Sequence, residues 1–295
     1  TQEGDLAQAQ EHLGIALLFD PNASWLHQAR GRLALEQGDI TQARASLTKA
    51  VNLEPDAPGP RLALARVLEI QGEYAGAVRQ LEVLLGHGRD DLAFIELIQL
   101  QLLLGDREQA ERALDAWSQR PPSTPEALRR RAVLRLELDQ PAAAWEDLAQ
   151  LVEGDDAGGP TLDLLMEAAK RSRRLGSTLA LLQRLVLWEP GNEDIVVRLG
   201  GLAEQAGDHA LAAEAWTLLD QLRGGQDASV KLMRAQAQLD AGDPEGALTE
   251  ANRAAALEPD APTLTQVRAR ALFAKGDERA ALALIESQPD WKQDA

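Results

Sequence analysis

"QGDITQARASLTKAVNLEPDAP" (37–58) and "AGDPEGALTEANRAAALEPDAP" (241–262) align without a gap, 204 residues apart. They share the glycine, the aspartate after it, an alanine five residues past the glycine, and the closing LEPDAP. The separation is six times 34, which predicts an internal repeat of 34 residues. Along the chain that period finds Gly followed by Asp or Glu at Gly4-Asp5, Gly38-Asp39, Gly72-Glu73, Gly105-Asp106, Gly207-Asp208, Gly242-Asp243 and Gly276-Asp277. Five residues past each glycine stands Ala9, Ala43, Ala77, Ala110, Ala212, Ala247 or Ala281. Two weaker copies fill the gap before Gly207. In one, Asp139 takes the glycine position and Ala144 follows; in the other, the turn is expected at Gly176-Ser177.

Each feature has a physical reading. Glycine ends the first helix of a pair because the residue past a helix end favours positive φ. The Asp that follows, or Ser177, is placed to accept from the free N–H groups opening the next helix. Seven residues before most of these turns comes a small residue: Gly31, Ala65, Ala132, Ala169, Gly200, Ala235 or Ala269. Together with the alanine past the turn it lets two antiparallel helices approach closely. Pro21, Pro55, Pro190 and Pro259 close the second helix, since proline disfavours helix in the residue before it. The unit is a helix–turn–helix unable to bury its apolar face alone.

These residues resemble the tetratricopeptide repeat family. "PGPRLALARVLEIQGEYAGAVRQLEVLL" (58–85) is similar to a good copy, with Leu64-Ala65, Tyr74 and Ala77 at family positions. The resemblance covers the whole chain and implies an all-α fold. The expected architecture is a right-handed superhelical solenoid of about nine repeats, bounded at 1–23 (partial), 24–57, 58–90, 91–124, 125–160, 161–192, 193–227, 228–261 and 262–295. The sequence departs from the family where an aromatic is usual in the first helix; His27, Arg61 or Lys231 stands there instead. It departs again in the sixth copy, whose second helix reads as one turn short, ending at Trp188. The chain opens at the turn of its first copy and stops just after its last second helix. It is therefore expected to be an internal piece of a longer protein.

Composition narrows the function. Helix formers dominate, aromatics are 3 %, and no apolar run approaches the roughly 18 residues needed to cross a bilayer. A net charge of −17 argues against general nucleic-acid binding, where phosphate contacts supply most of the affinity. The absence of cysteine excludes disulfides and thiolate chemistry; it leaves the redox compartment open, tilted toward the periplasm. The Ala/Leu/Arg/Gly-rich composition points to a GC-rich bacterium. His12, His27, His87 and His209 fall in different repeats and form no metal-ligand pair, and the Gly-Gly pairs at 158–159, 200–201 and 224–225 lack the rest of a phosphate loop. With no nucleophile–base constellation, the segment is read as non-catalytic, without cofactor or metal.

Charge marks one candidate binding site. Eight of thirty basic residues crowd "RRRAVLR" (129–135) and "KRSRR" (170–174). The resemblance turns Arg129, Arg130, Lys170, Arg173 and Arg174 toward the concave groove or its edge, where arginines bind an acidic peptide or terminal carboxylate through paired hydrogen bonds. The alternative is that they neutralise neighbouring acids such as Glu126, Glu137, Glu153, Asp155 and Asp156. A second candidate groove is apolar: Leu62, Ile95, Leu102 and Leu103 occupy inward-tending positions that an amphipathic partner helix or ordinary repeat packing would fill. Trp25 is read either as a groove residue or as edge packing. Trp117, Trp145, Trp188 and Trp216 on second helices are read as core, with a ligand role as the alternative.

The resemblance implies a scaffold that recruits protein partners along its concave face. It is similar to bacterial envelope assembly and secretion scaffolds, including those of exopolysaccharide export and pilus biogenesis. Two alternatives stay open: a regulatory or substrate-recruiting arm of an enzyme whose catalytic domain lies elsewhere, and an acidic inner surface that handles a cationic polymer.

Overall fold

The computed structural model describes residues 2–87, 90–154, 157–261 and 263–287. Asp155 and Asp156, and the side chains of Gly4, Asp5 and His87, lie outside what is described. Seventeen helices and no strand occur among the described residues. The chain divides into two compact units, 1–140 and 141–295. The first unit holds α1 (Gln2–Phe19), α2 (Ser24–Glu36), α3 (Ile40–Leu53), α4 (Pro58–Ile70), α5 (Tyr74–His87), α6 (Asp91–Leu103), α7 (Arg107–Ser118) and α8 (Pro125–Glu137). The second holds α9 (Pro141–Glu153), α10 (Gly159–Ser172), α11 (Leu175–Trp188), α12 (Glu193–Ala206), α13 (His209–Leu222), α14 (Ala228–Asp240), α15 (Pro244–Leu257), α16 (Leu264–Ala274) and α17 (Glu278–Glu286).

Helix α3 shows how one repeat is written. Its buried residues Ala43, Ser46, Leu47, Ala50 and Val51 recur every three or four positions, one face of a 3.6-residue period. Asp39 caps its start, accepting from the Gln42 N–H at 2.9 Å. Its end falls at Glu54, which leaves the helical region at φ −132° and ψ 83° because Pro55 follows. Asp106, Asp208, Asp243 and Asp277 cap α7, α13, α15 and α17 in the same way, as the sequence predicts.

Packing follows the small residues. Every alanine five past a turn from Ala43 to Ala281 is buried, Ala144 included. A Cβ placed on Gly31 would lie 2.5 Å from Leu47 Cγ, so α2 meets α3 only because this residue has no side chain. Gly200 does the same for a larger partner: its Cβ would lie 2.6 Å from the Trp216 ring, which is buried and donates Nε1–H to Glu204. In the first unit Phe94 stacks on Trp117 at 5.9 Å between ring centres. A core of Ala235, Ala247, Ala251, Leu264 and Val267 fills part of the second.

Three expectations change. The turn read at Gly4-Asp5 is not a turn, because α1 runs through it as one helix. The turn read at Gly176-Ser177 lies three residues earlier. Arg173 ends α10 in the left-handed region at φ 59°, Arg174 precedes α11, and Gly176 and Ser177 are inside α11. In consequence the second helix of that copy is not short, since α11 has 14 residues. With Arg173 placed, residues 38, 72, 105, 139, 173, 207, 242 and 276 all have positive φ, at intervals of 33 to 35. Asp139 does stand in for glycine, at φ 58°.

Candidate functional site

Three first helices of the first unit, α4, α6 and α8, border a groove of about 530 Å3. Its wall is partly apolar, from Leu92, Ile95 and Ala127. Its charged members are Arg66, Asp90, Asp91, Glu96, Glu126 and Arg130.

These charges differ in how fully they are used. Asp90 caps α6, accepting from the Leu92 and Ala93 N–H groups. Asp91 accepts from Trp117 Nε1 at 2.8 Å, from the Ser123 N–H at 2.7 Å and from the Ser123 hydroxyl. Burial pushes the Asp91 carboxyl up, but those hydrogen bonds and the charge of Arg131 outweigh it and hold the carboxyl below its ordinary range. Arg131 itself is buried, lies over the Trp117 ring at 5.9 Å and donates to the Arg120 carbonyl. Asp91 and Arg131 therefore hold the loop between α7 and α8.

Glu96 has the opposite balance. Its side chain is 15 % exposed, and burial pushes its carboxyl up. The hydrogen bond and charge of Arg66 only partly offset this, and the nearby Glu69 and Asp90 add to the upward shift. Both Arg66 contacts, from Nε at 2.6 Å and Nη2 at 2.5 Å, fall on the same oxygen, Oε1.

The expected basic island resolves into different roles. Arg129 and Arg130 both pair with Glu126 on their own helix, at 2.7 and 3.1 Å. Arg131 and Arg135 are buried, Arg135 donating to the Ser118 hydroxyl. In the second unit Arg174 is not on a first helix; it lies over the Trp145 ring at 4.9 Å and pairs with Glu146. Trp145 in turn donates Nε1–H to Thr178 Oγ1 at 2.7 Å. Lys170 on α10 and Arg173 beyond it are exposed and make no ion pair among the described residues. Glu153 pairs with Arg184 rather than with any member of the island.

The apolar candidates are largely packed. Ile95 is buried within the Phe94–Trp117 core; Leu62 and Leu102 are partly buried against the first-unit cores. Leu103 and Trp25 are exposed, Trp25 to 65 %. Trp117 and Trp216 are core residues and Trp145 is half-buried, whereas Trp188 is 63 % exposed. Arg66 and Glu96 escape motif reading because their only sequence signal is opposite charge 30 residues apart. That spacing has meaning only after two successive first helices are packed. Among the described residues no group of three or more histidines or carboxylates is placed to hold a metal ion. No described helix is long and apolar enough to cross a membrane.

The tetratricopeptide repeat family matches three stretches: residues 34–95, 92–116 and 232–293. The chain is 33 % identical over 146 residues to a protein described as cellulose synthase 2 operon protein C from Komagataeibacter xylinus. That match takes in 49 % of this chain and 11 % of the relative, so the chain spans about a tenth of the relative's length. Among solved structures, a tetratricopeptide repeat protein from Parabacteroides merdae is 17 % identical, with 90 % of this chain and 99 % of that one covered at a TM-score of 0.42. PilF of Pseudomonas aeruginosa is 17 % identical, with 83 % and 96 % covered at a TM-score of 0.37.

Proposed function

The chain is a tetratricopeptide repeat protein, and on that premise we propose that it is a protein-binding scaffold of a bacterial exopolysaccharide export apparatus. The observation that carries the binding half is the groove bordered by α4, α6 and α8, where residues of three successive repeats meet in one place. A repeat array puts such residues on rigid helices at fixed spacing, which suits recognition of an extended partner. The export half is supported by the 33 % identity to the cellulose synthase operon protein. The work is binding, and no chemical step is assigned to the chain. Where the partner presents an acidic segment, the members of the basic island with no ion pair among the described residues are Lys170 and Arg173. Arg129, Arg130 and Arg174 already hold Glu126 and Glu146.

Photo-crosslinking tests the binding half. A benzoyl-phenylalanine at Gln99 or Lys170, on first helices, is expected to give partner adducts in cells of the source organism. The same group at Glu82 or Ala180, on second helices, is expected to give none. Adducts from second helices alone would reject the assignment of the binding face. For the export half, deletion of the gene is expected to abolish secreted polysaccharide while leaving the synthase activity of membranes intact. Normal secretion in the deletion strain would rule it out.

A further inference from the structure

The groove of the first unit is lined by more carboxylates than guanidinium groups. Four carboxylates, Asp90, Asp91, Glu96 and Glu126, face two guanidinium groups, Arg66 and Arg130. Glu69 on α4 adds to the negative field at Glu96. Arg130 is held by Glu126, which it shares with Arg129. Arg66 is 54 % exposed and reaches only Oε1 of Glu96, so Oε2 of this sunken carboxylate has no hydrogen bond among the described residues. Glu96 is half-buried and its Oε2 is not among the buried unpartnered atoms, so this oxygen stays within reach of the groove, where a second cation that excludes water gains more than it would in bulk solvent. Beside Glu96 the exposed side chain of Leu92 offers a surface for the methylene stem that lysine and arginine carry, while Ile95 and Ala127 are buried and show only an edge to the groove.

We propose that this groove binds a partner segment through one lysine or arginine, whose cationic head pairs with Oε2 of Glu96 and whose stem lies along Leu92. This deepens the scaffold reading and rests on it. It assigns the first-unit groove to a basic segment, the opposite polarity to the acidic segment allotted to Lys170 and Arg173. Arg66 then acts as a resident competitor for the carboxylate, a surface cation that an incoming one joins or displaces.

The test uses the whole chain and fluorescein-labelled peptides Ser-Ala-Leu-Xaa-Leu-Ala-Ser, with Xaa as Lys, Arg, Gln or Glu, titrated by fluorescence anisotropy at low salt. The Lys and Arg peptides are expected to bind about tenfold or more tighter than the Gln peptide, as befits a charge-assisted hydrogen bond. Glu96→Gln is expected to erase that preference, and Glu153→Gln in the second unit to leave it unchanged. Arg66→Ala is expected to tighten the Lys peptide by about threefold or more, by removing the competitor. A purely structural Arg66–Glu96 pair would give no tightening. A preference that survives Glu96→Gln, an Arg66→Ala variant that binds more weakly, or no preference among the four peptides would overturn the proposal. Tight binding of the Glu peptide, lost in Lys170→Glu with Arg173→Glu, would also overturn it while leaving the scaffold reading intact. Failure of first-helix crosslinking removes the scaffold reading itself.

Discussion

Lys231 occupies the first-helix slot where an aromatic is usual in the family, and it is buried with Asp220 of the preceding helix. Its Nζ donates to Oδ1 at 3.0 Å and to Oδ2 at 2.8 Å, and both side chains are nearly closed to solvent. The equivalent residues solve the same problem differently. His27 Nε2 lies 2.9 Å from the Pro21 carbonyl, and Arg61 Nε donates to the Pro55 carbonyl at 2.5 Å, six residues back in each case. The slot thus takes a polar side chain when the loop before it, or the helix before that, supplies a partner. Two charges taken from water repay their desolvation only as a pair. Asp220→Ala is therefore expected to destabilise the protein by about 3–5 kcal/mol, because it strands a buried ammonium. Asp220→Leu combined with Lys231→Met should come close to wild-type stability. Urea unfolding monitored by circular dichroism separates these outcomes; a single variant no worse than the double would show that Lys231 finds water.

The turns are where residue chemistry becomes element geometry, and they divide into those that the letters announce and one that they hide. Gly38, Gly72, Gly105, Gly207, Gly242 and Gly276 are announced, since each has positive φ with an acidic residue after it. Asp139 is announced by Ala144, and by the tolerance of aspartate for this conformation. Arg173 is hidden because its flanking slots break the pattern. Met166, not a small residue, stands seven before it, and Thr178 stands five after it where alanine is usual. Thr178 fits because its hydroxyl donates to the Arg174 carbonyl and accepts from Trp145, needs that an alanine would not meet. Gly176 and Ala169 offer a glycine and a small residue three positions late, which is how the sequence misplaces the turn. A left-handed arginine is costly, and Arg173→Gly is expected to stabilise the protein by about 1 kcal/mol, read as a higher melting temperature. No rise would mean that the surrounding turn does not feel the strain. Helix starts give a pH-dependent counterpart. Asp227 caps α14, accepting from the Ser229 and Val230 N–H groups and pairing with Arg223. The Ser229 hydroxyl, with Arg223, draws its carboxyl from 3.8 down to about 2 against the opposing effect of burial. A folded-state value below the unfolded one stabilises above the unfolded value and is lost as pH falls through the folded one. Asp227→Ala should thus cost about 1 kcal/mol at pH 7, and the gap to wild type should narrow between pH 4 and pH 2. A gap independent of pH would assign the loss to packing. The candidate site is less legible than the turns for the same reason as Arg173. The arginine cluster and its same-helix partner Glu126 are visible in the letters, but Glu146 and the Arg66–Glu96 pair depend on which helices are neighbours.

At the scale of the whole chain, cores are local and recur along the sequence. One cluster of buried residues runs from Ala34 to Leu100, a second from Phe94 to Leu138, and a third in the other unit from Ala228 to Ala271. A molecule built this way stores its stability in nearest-neighbour contacts, so damage should spread only as far as the cores that share residues. Ala77 tests this. It is fully buried on α5, one of the alanines that let two helices close. Ala77→Trp overfills that contact and is expected to cost about 1–3 kcal/mol. Hydrogen–deuterium exchange read by mass spectrometry should locate the loss: faster exchange in α3 to α6, which share the Ala34–Leu100 core, and wild-type rates in α12 to α15. A uniform rise across both units would mean that the chain unfolds as one cooperative body, and the nearest-neighbour account would fail. If the loss stays local, a partner bound at the first-unit groove should slow exchange over α4, α6 and α8 and leave the second unit as it was, which makes the same measurement a map of where each partner binds.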